Sequence, residues 1–352
     1  MVQYHSRRNP VYCYLLILAV CAFFVSIYKF PDTLDIIRYY ENAKESVSSY
    51  HSTLDYLLFQ IEYNVDFIYT TLLYIFRKNG VPLNILTILF VAIYYSYIAK
   101  TCRYQYPKFS GFNHIYIYAL LMCVPLDWIL SISRTTAAFA FFYVAIFNLL
   151  KKKKVGYIWL LVSLFTHIQM ALYLLVLLVA FVFSKLKIRK KFKIIVLILV
   201  VGISLFPEYF VDDVSRLFGL VGGDLRYGEV YSTLLADTDS LLKASRIDTG
   251  SKMGGVLVYL FSIYLVLTDD RDDVMSWYLY ICTLMLCFFF FSSIMMVNRI
   301  EMILPLFLGL GLFSKLENPK TKAFHKNVIK IFAVMSFFTF ATVLYCARNI
   351  FF

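Results

Sequence analysis

The chain of 352 residues is 61% hydrophobic and only 16% charged, with a formal net charge of +12. So little polar surface cannot cover a soluble globule of this length, which excludes an ordinary water-soluble enzyme and points to a polytopic membrane protein. Nor does the basic excess point to nucleic acid, because most lysines and arginines sit in short tracts at the ends of apolar runs, the pattern that orients helices in a bilayer.

An apolar run of about eighteen residues can cross a hydrocarbon core as a helix, and about nine such runs can be counted. They are solid blocks rather than alternating patterns. The expected fold is therefore all-α, a polytopic integral membrane helical bundle of about nine to eleven transmembrane or re-entrant helices, and a single transmembrane domain over residues 1–352.

Arg7 and Arg8 precede the run from Val11 to Tyr28, which predicts a retained first helix with a cytoplasmic N-terminus. Residues 30–78 form an expected outer segment. From Phe30 to Asp66, the acids Asp32, Asp35, Glu41, Glu45, Asp55, Glu62 and Asp66 stand against only Arg38 and Lys44, and the short run Phe67–Phe76, which ends at Arg77 and Lys78, suits an interfacial helix. With that run left out of the crossings, Leu83–Ile98 delivers Lys100, Arg103 and Lys108 to the inside. Phe112–Leu130 then carries Asp127 and Arg134 outside, and Thr135–Leu150 returns Lys151 to Lys154 to the inside.

Residues 155–184 have basic tracts at both ends, so one straight helix of roughly 45 Å would leave a tract on the wrong side. A broken or re-entrant helix pair satisfies both tracts and puts His167 near its tip, facing the outer half. Residues 208–252, the longest polar stretch, read as a large structured extracytoplasmic loop. Runs at about 254–267, 275–297 and 300–314 follow, with Asn298 and Arg299 at an outer turn, and a last helix lies at about 328–347. Seven cysteines (Cys13, Cys21, Cys102, Cys123, Cys282, Cys287 and Cys346) show neither CxxC nor Cys/His ligand spacing, so they read as small core residues rather than a metal site or a disulfide framework.

This topology brings Arg134, Arg226, Arg299 and His167 toward the outer side. Arginine offers a planar fork of donors that suits phosphate or diphosphate, and an imidazole deep in an apolar run marks a place where a proton or an anion is handled. Each residue also has a plainer reading. Arg134 and Arg299 at helix ends can snorkel, Arg226 can be a solvated loop charge, His167 can be packed against a carbonyl, and Asp35 and Asp127 can be solvated.

The block Ser-Arg-Thr-Thr-Ala-Ala-Phe-Ala-Phe-Phe at 133–142, the lysine run, and Val-Ser-Leu-Phe-Thr-His-Ile-Gln-Met-Ala-Leu at 162–172 resemble the EpsG-like branch of the Wzy-type polysaccharide polymerases. Asp35 with Tyr39 is similar to the Asp-x-x-x-Tyr of that family's first outer segment, Arg226-Tyr227 to its large-loop pair, and Asn298-Arg299 to a late helix start. Thr135 stands where the family often has Gln, and Gln169 replaces the small residue usual after the histidine.

The resemblance implies a glycosyltransferase-C-like membrane enzyme. It would join undecaprenyl-diphosphate-linked oligosaccharide repeat units of an O-antigen, capsule or exopolysaccharide at the outer face of a bacterial plasma membrane. Arg134, Arg226 and Arg299 would hold the diphosphate, His167 or Asp35 would activate the acceptor, and Tyr39, Asp127 and Tyr227 would make weaker sugar contacts. The partners implied are the lipid-linked oligosaccharides, the lipid bilayer, a chain-length regulator and a flippase of the same pathway. No cofactor, metal or nucleic acid is expected, since neither a Gly-rich nucleotide loop nor a metal-ligand cluster is present in the sequence. A lipid-linked oligosaccharide flippase would want the same cationic site but usually shows an internal repeat, which is not found here. A membrane acyltransferase acting on glycans would need a histidine beside a hydroxyl acceptor.

Overall fold

The computed structural model describes residues 35–64, 66–107, 133–186, 188–206, 248–290, 294–317 and 321–351. The helix expected at Val11–Tyr28, the crossing at Phe112–Leu130 and the greater part of the loop at 208–252 lie outside these residues, as do Cys13, Cys21, Cys123 and the Cys346 side chain. Among the described residues there are twelve helices and no strand. They divide into two compact units, one of Met1–Gln105, Leu126–Leu174 and Asn349–Phe352, the other of Tyr106–Pro125 and Leu175–Arg348.

The first unit opens with α1 (Asp35–Ser49), α2 (Thr53–Tyr63) and α3 (Phe67–Lys78). Ser52 starts α2 by accepting the N–H groups of Leu54 and Asp55 on its hydroxyl. Tyr56 of α2 stacks on Tyr74 of α3, whose hydroxyl donates to the Tyr50 carbonyl, so α2 and α3 form a tight pair. The next helices are α4 (Leu83–Gln105), α5 (Ser133–Leu150) and α6 (Val155–Thr166), followed by α7 (Met170–Phe183), within which the boundary between the units falls. The core of this unit joins Ala43 of α1, Tyr69 and Leu73 of α3, Leu83, Leu86 and Phe90 of α4, and Ala137 of α5.

Ring pairs fix the register. Phe90 meets Phe141, Tyr94 meets Tyr143 and Tyr97 meets Phe147, so α4 and α5 run in the same direction. The chain reverses at Lys151–Lys154, where Lys152 takes a left-handed φ of 56°. On the return, Trp159 stacks on Phe141 and the Ser163 hydroxyl donates to the Ala138 carbonyl, so α6 runs antiparallel to α5. Tyr173 of α7 packs edge-on against Phe139, further from the start of α5 than Arg134, so α7 turns back toward the lysine end after the break at His167.

Gly156 lets α5 and α6 come this close. A Cβ at Gly156 would lie 2.6 Å from Leu149 Cγ and 3.0 Å from the Ala145 carbonyl oxygen. Gly156→Ala is therefore expected to overpack the turn and cost about 1–3 kcal/mol, read as a lowered Tm of the detergent-solubilised protein. An unchanged Tm means that the turn can relax.

The second unit contains α8 (Lys190–Ser204), α9 (Asp248–Thr268), α10 (Val274–Phe289), α11 (Ile294–Glu317) and, as far as Arg348, α12 (Lys322–Phe351). α9 begins at Asp248, earlier than the expected start near 254. Tyr278 stacks on Phe307 and Phe261 on Phe332, tying α10 to α11 and α9 to α12. At the turn between α9 and α10, Asp269 takes a bidentate contact from Arg271 and a hydrogen bond from Ser276, while Lys315 donates to the Thr268 carbonyl. Burial pushes the Asp269 carboxyl up, but Arg271 and the nearby Lys315 outweigh it and hold the group below its usual range. Lys190 and Lys193 close the same turn onto Asp270 and Asp272 at 2.5 and 2.6 Å.

Among the described residues, α4 and Met296–Glu317 of α11 are long and apolar enough to cross a membrane; five shorter apolar helices of 10–17 residues accompany them. Of the nine expected crossings, those at Val11–Tyr28 and Phe112–Leu130 lie outside the described residues, while Thr135–Leu150 and the run at 155–184 fall in the shorter helices, which end at turns such as Lys151–Lys154 and His167–Gln169. Leu175, Leu178 and Phe181 of α7, Ile195, Ile198 and Leu199 of α8, and Ile331, Val334 and Phe338 of α12 are exposed. Such apolar faces suit acyl chains rather than water.

Candidate functional site

α6 ends where His167 leaves helical geometry, at φ −157° and ψ 119°. Its N–H still closes on the Ser163 carbonyl and its own carbonyl starts α7 by accepting from Met170. The break strands the next backbone donor, Ile168 N–H, which needs a partner in an apolar setting. That partner is Asp66, whose Oδ1 accepts it at 2.7 Å.

Asp66 stands in the N-cap position of α3, yet its carboxylate caps none of that helix's N–H groups. Its other oxygen, Oδ2, accepts from Arg134 Nη1 at 2.5 Å and lies 3.5 Å from His167 Nδ1. The Asp66 side chain is 0% exposed, that of His167 4% and that of Arg134 20%. Burial raises the Asp66 carboxyl, but His167, Arg134 and the Ile168 N–H outweigh it and hold the group below the ordinary 3.8. A depressed carboxyl stabilises the fold above its unfolded value, so this contribution is present at neutral pH and is lost as the pH falls below about 3.8.

The guanidinium of Arg134 also lies over the ring of Tyr39, 5.0 Å from its centroid, and Tyr39 meets Tyr69 edge-on at 5.6 Å. Tyr40 shares a 2.7 Å hydroxyl contact with Thr87. Gln169, next in the break, is 8% exposed, and among the described residues neither its Oε1 nor its Nε2 has a hydrogen-bond partner. α5 is eighteen residues long, so the cluster and the lysine turn at its far end are about 27 Å apart.

The structure thus brings together Arg134, His167 and Tyr39 of the expected site residues, all in the first unit. Asp35 begins α1, but its side chain is outside the described residues, as are Asp127, Arg226 and Tyr227 entirely. Arg299 lies in the second unit, half-buried on α11, between the buried side chains of Asn298 and Glu301.

One carboxylate of the site, Asp66, escaped the sequence reading. Asp66 looked like one more acid of an outer segment, and its position before an apolar run is the only local signal.

Residues 11–351, nearly the whole chain, match the sequence model of the EpsG family. The chain belongs to the EpsG family. No curated protein and no solved structure matches it. Membership of the EpsG family, with its apolar helices, makes the chain a membrane protein of polysaccharide biosynthesis, of the glycosyltransferase-like polymerase type.

Proposed function

We propose that this EpsG-family chain is a polytopic, glycosyltransferase-C-like polymerase. It joins undecaprenyl-diphosphate-linked oligosaccharide repeat units at the outer face of a bacterial plasma membrane, with its N-terminus in the cytoplasm. The observation that carries the reading is the meeting of Arg134 and His167 on one buried carboxylate, at the end of α5 remote from the lysine turn. Lysine tracts favour the cytoplasmic side, which leaves the cluster to the outer half.

In this reading an acceptor sugar hydroxyl attacks the anomeric carbon of the donor. The bond from that carbon to the diphosphate oxygen breaks, and the leaving group takes the electron pair. Arg134 offsets the charge that builds on the diphosphate, and His167 takes the hydroxyl proton; Asp35 is the second choice for that base. The Gln169 amide, which has no partner among the described residues, supports a place for sugar hydroxyls beside His167, and Tyr39, Asp127 and Tyr227 are the proposed sugar contacts. A chain-length regulator and a flippase of the same pathway are the proposed protein partners.

The test uses purified protein in liposomes with lipid-linked repeat units extracted from cells that lack the polymerase. Glycans lengthened by whole repeats are expected. Units that only change leaflet would make the chain a flippase, and an acyl group added without lengthening would make it an acyltransferase.

A further inference from the structure

We infer that Asp66 and His167 act as a carboxylate–imidazole dyad, in which Asp66 is the positioning residue that sets the tautomer and orientation of the acceptor-activating imidazole. This inference rests on the polymerase reading above.

The argument begins with what Asp66 does not do. An aspartate in the N-cap position normally spends its side chain on the first N–H groups of its helix, whereas this one makes no such bond. A fully buried carboxylate is tolerated only where charge and hydrogen bonds compensate it. Here the compensation comes from the two residues of the proposed reaction and from the N–H directly after one of them. Oδ1 pins the backbone of the helix break at Ile168, which fixes where the imidazole is rooted. Oδ2 faces Nδ1 of the ring at 3.5 Å, a distance typical of a site that tightens when substrate arrives.

A carboxylate on that side favours the tautomer with hydrogen on Nδ1 and the lone pair on Nε2. Nε2 is then the atom that takes the proton of the acceptor hydroxyl as the new glycosidic bond forms and the diphosphate leaves. The resulting imidazolium is held by the Asp66 charge, and the proton passes on to water after release. Arg134 on the same oxygen keeps Asp66 ionised while it does so.

Among the described residues, the charged and titratable groups of this cluster are Asp66 before α3, Arg134 of α5 and, under that guanidinium, Tyr39 of α1, whose ring Arg38 also approaches at 5.4 Å. Asn64, which accepts the Asp66 N–H, and Gln169 are neutral. Asp66 is thus the anionic member of the group, and its removal has a defined sign. Without it the imidazolium is less stable, so His167 loses its proton at lower pH.

The experiment measures elongation by the full chain in liposomes against pH, with lipid-linked repeat units extracted from polymerase-deficient cells, for the wild type, Asp66→Asn and Asp66→Glu. For Asp66→Asn a rate lowered about 100-fold at neutral pH is expected, with the acid limb of the profile moved down by about one unit. Asp66→Glu keeps the limb in place and recovers part of the rate. An acid limb that does not move in Asp66→Asn, whatever its rate, overturns the dyad. Should Asp66→Asn fail to accumulate, ¹⁵N spectra of histidine-labelled wild type, assigned with His167→Gln, decide the matter. Hydrogen on Nδ1 is expected, and hydrogen on Nε2 overturns the proposal. Wild-type protein that makes no longer glycan would instead remove the polymerase reading itself.

Discussion

Arg134→Lys is expected to lower elongation by about 100- to 1000-fold while the protein still inserts and folds. A guanidinium can keep one nitrogen on Asp66 and turn the rest of its planar fork to a diphosphate. An ammonium is a single point that satisfies one partner at a time. The lysine leaves the buried Asp66 charge with a cation, so its effect falls on chemistry more than on stability. Arg134→Ala is the harsher change, because it strips Asp66 of its 2.5 Å partner and is expected to destabilise the fold by about 3–5 kcal/mol as well. Elongation by liposome-embedded variants, normalised to folded protein by size-exclusion profile, separates the two effects. Wild-type chain length from Arg134→Lys would take this residue out of the diphosphate site.

His167→Gln is expected to lose about 100- to 10,000-fold in turnover with little change in the concentration of lipid-linked acceptor that half-saturates the enzyme. Glutamine can still hydrogen-bond toward Asp66 and fill most of the imidazole volume, but it cannot accept a proton at neutral pH. The loss should therefore appear in kcat and not in KM. Turnover retained in His167→Gln would move the base elsewhere, with Asp35 the next residue to replace.

The two variants probe residues that lie 68 and 102 positions away from a common anchor, counting to Arg134 and to the Ile168 N–H beside His167. That separation explains what could be read locally. Arg134 and His167 are conspicuous because each interrupts apolar sequence, where an ionised or polar side chain is expensive and so carries information. Asp66 interrupts nothing. It sits among other acids, before a helix, in the place where an aspartate usually caps, and its local sequence gives no hint that both oxygens reach other helices. Arg271 and Lys315 are hidden in the same way, as ordinary basic residues at helix ends until the turn at Asp269 gathers them.

Some features follow from one-dimensional order alone. Apolar blocks dictate helices because lipid cannot satisfy a bare backbone, and the described residues are accordingly all-α. Spaced motifs likewise carried the family. Tertiary structure decided where α6 stops, which carboxylate receives the N–H that the stop exposes, and that Tyr39 lies beneath the Arg134 guanidinium. The reason is that composition and spacing report what a segment must bury, whereas the partner of a buried charge is settled only when distant segments meet and the desolvated group takes the nearest donor.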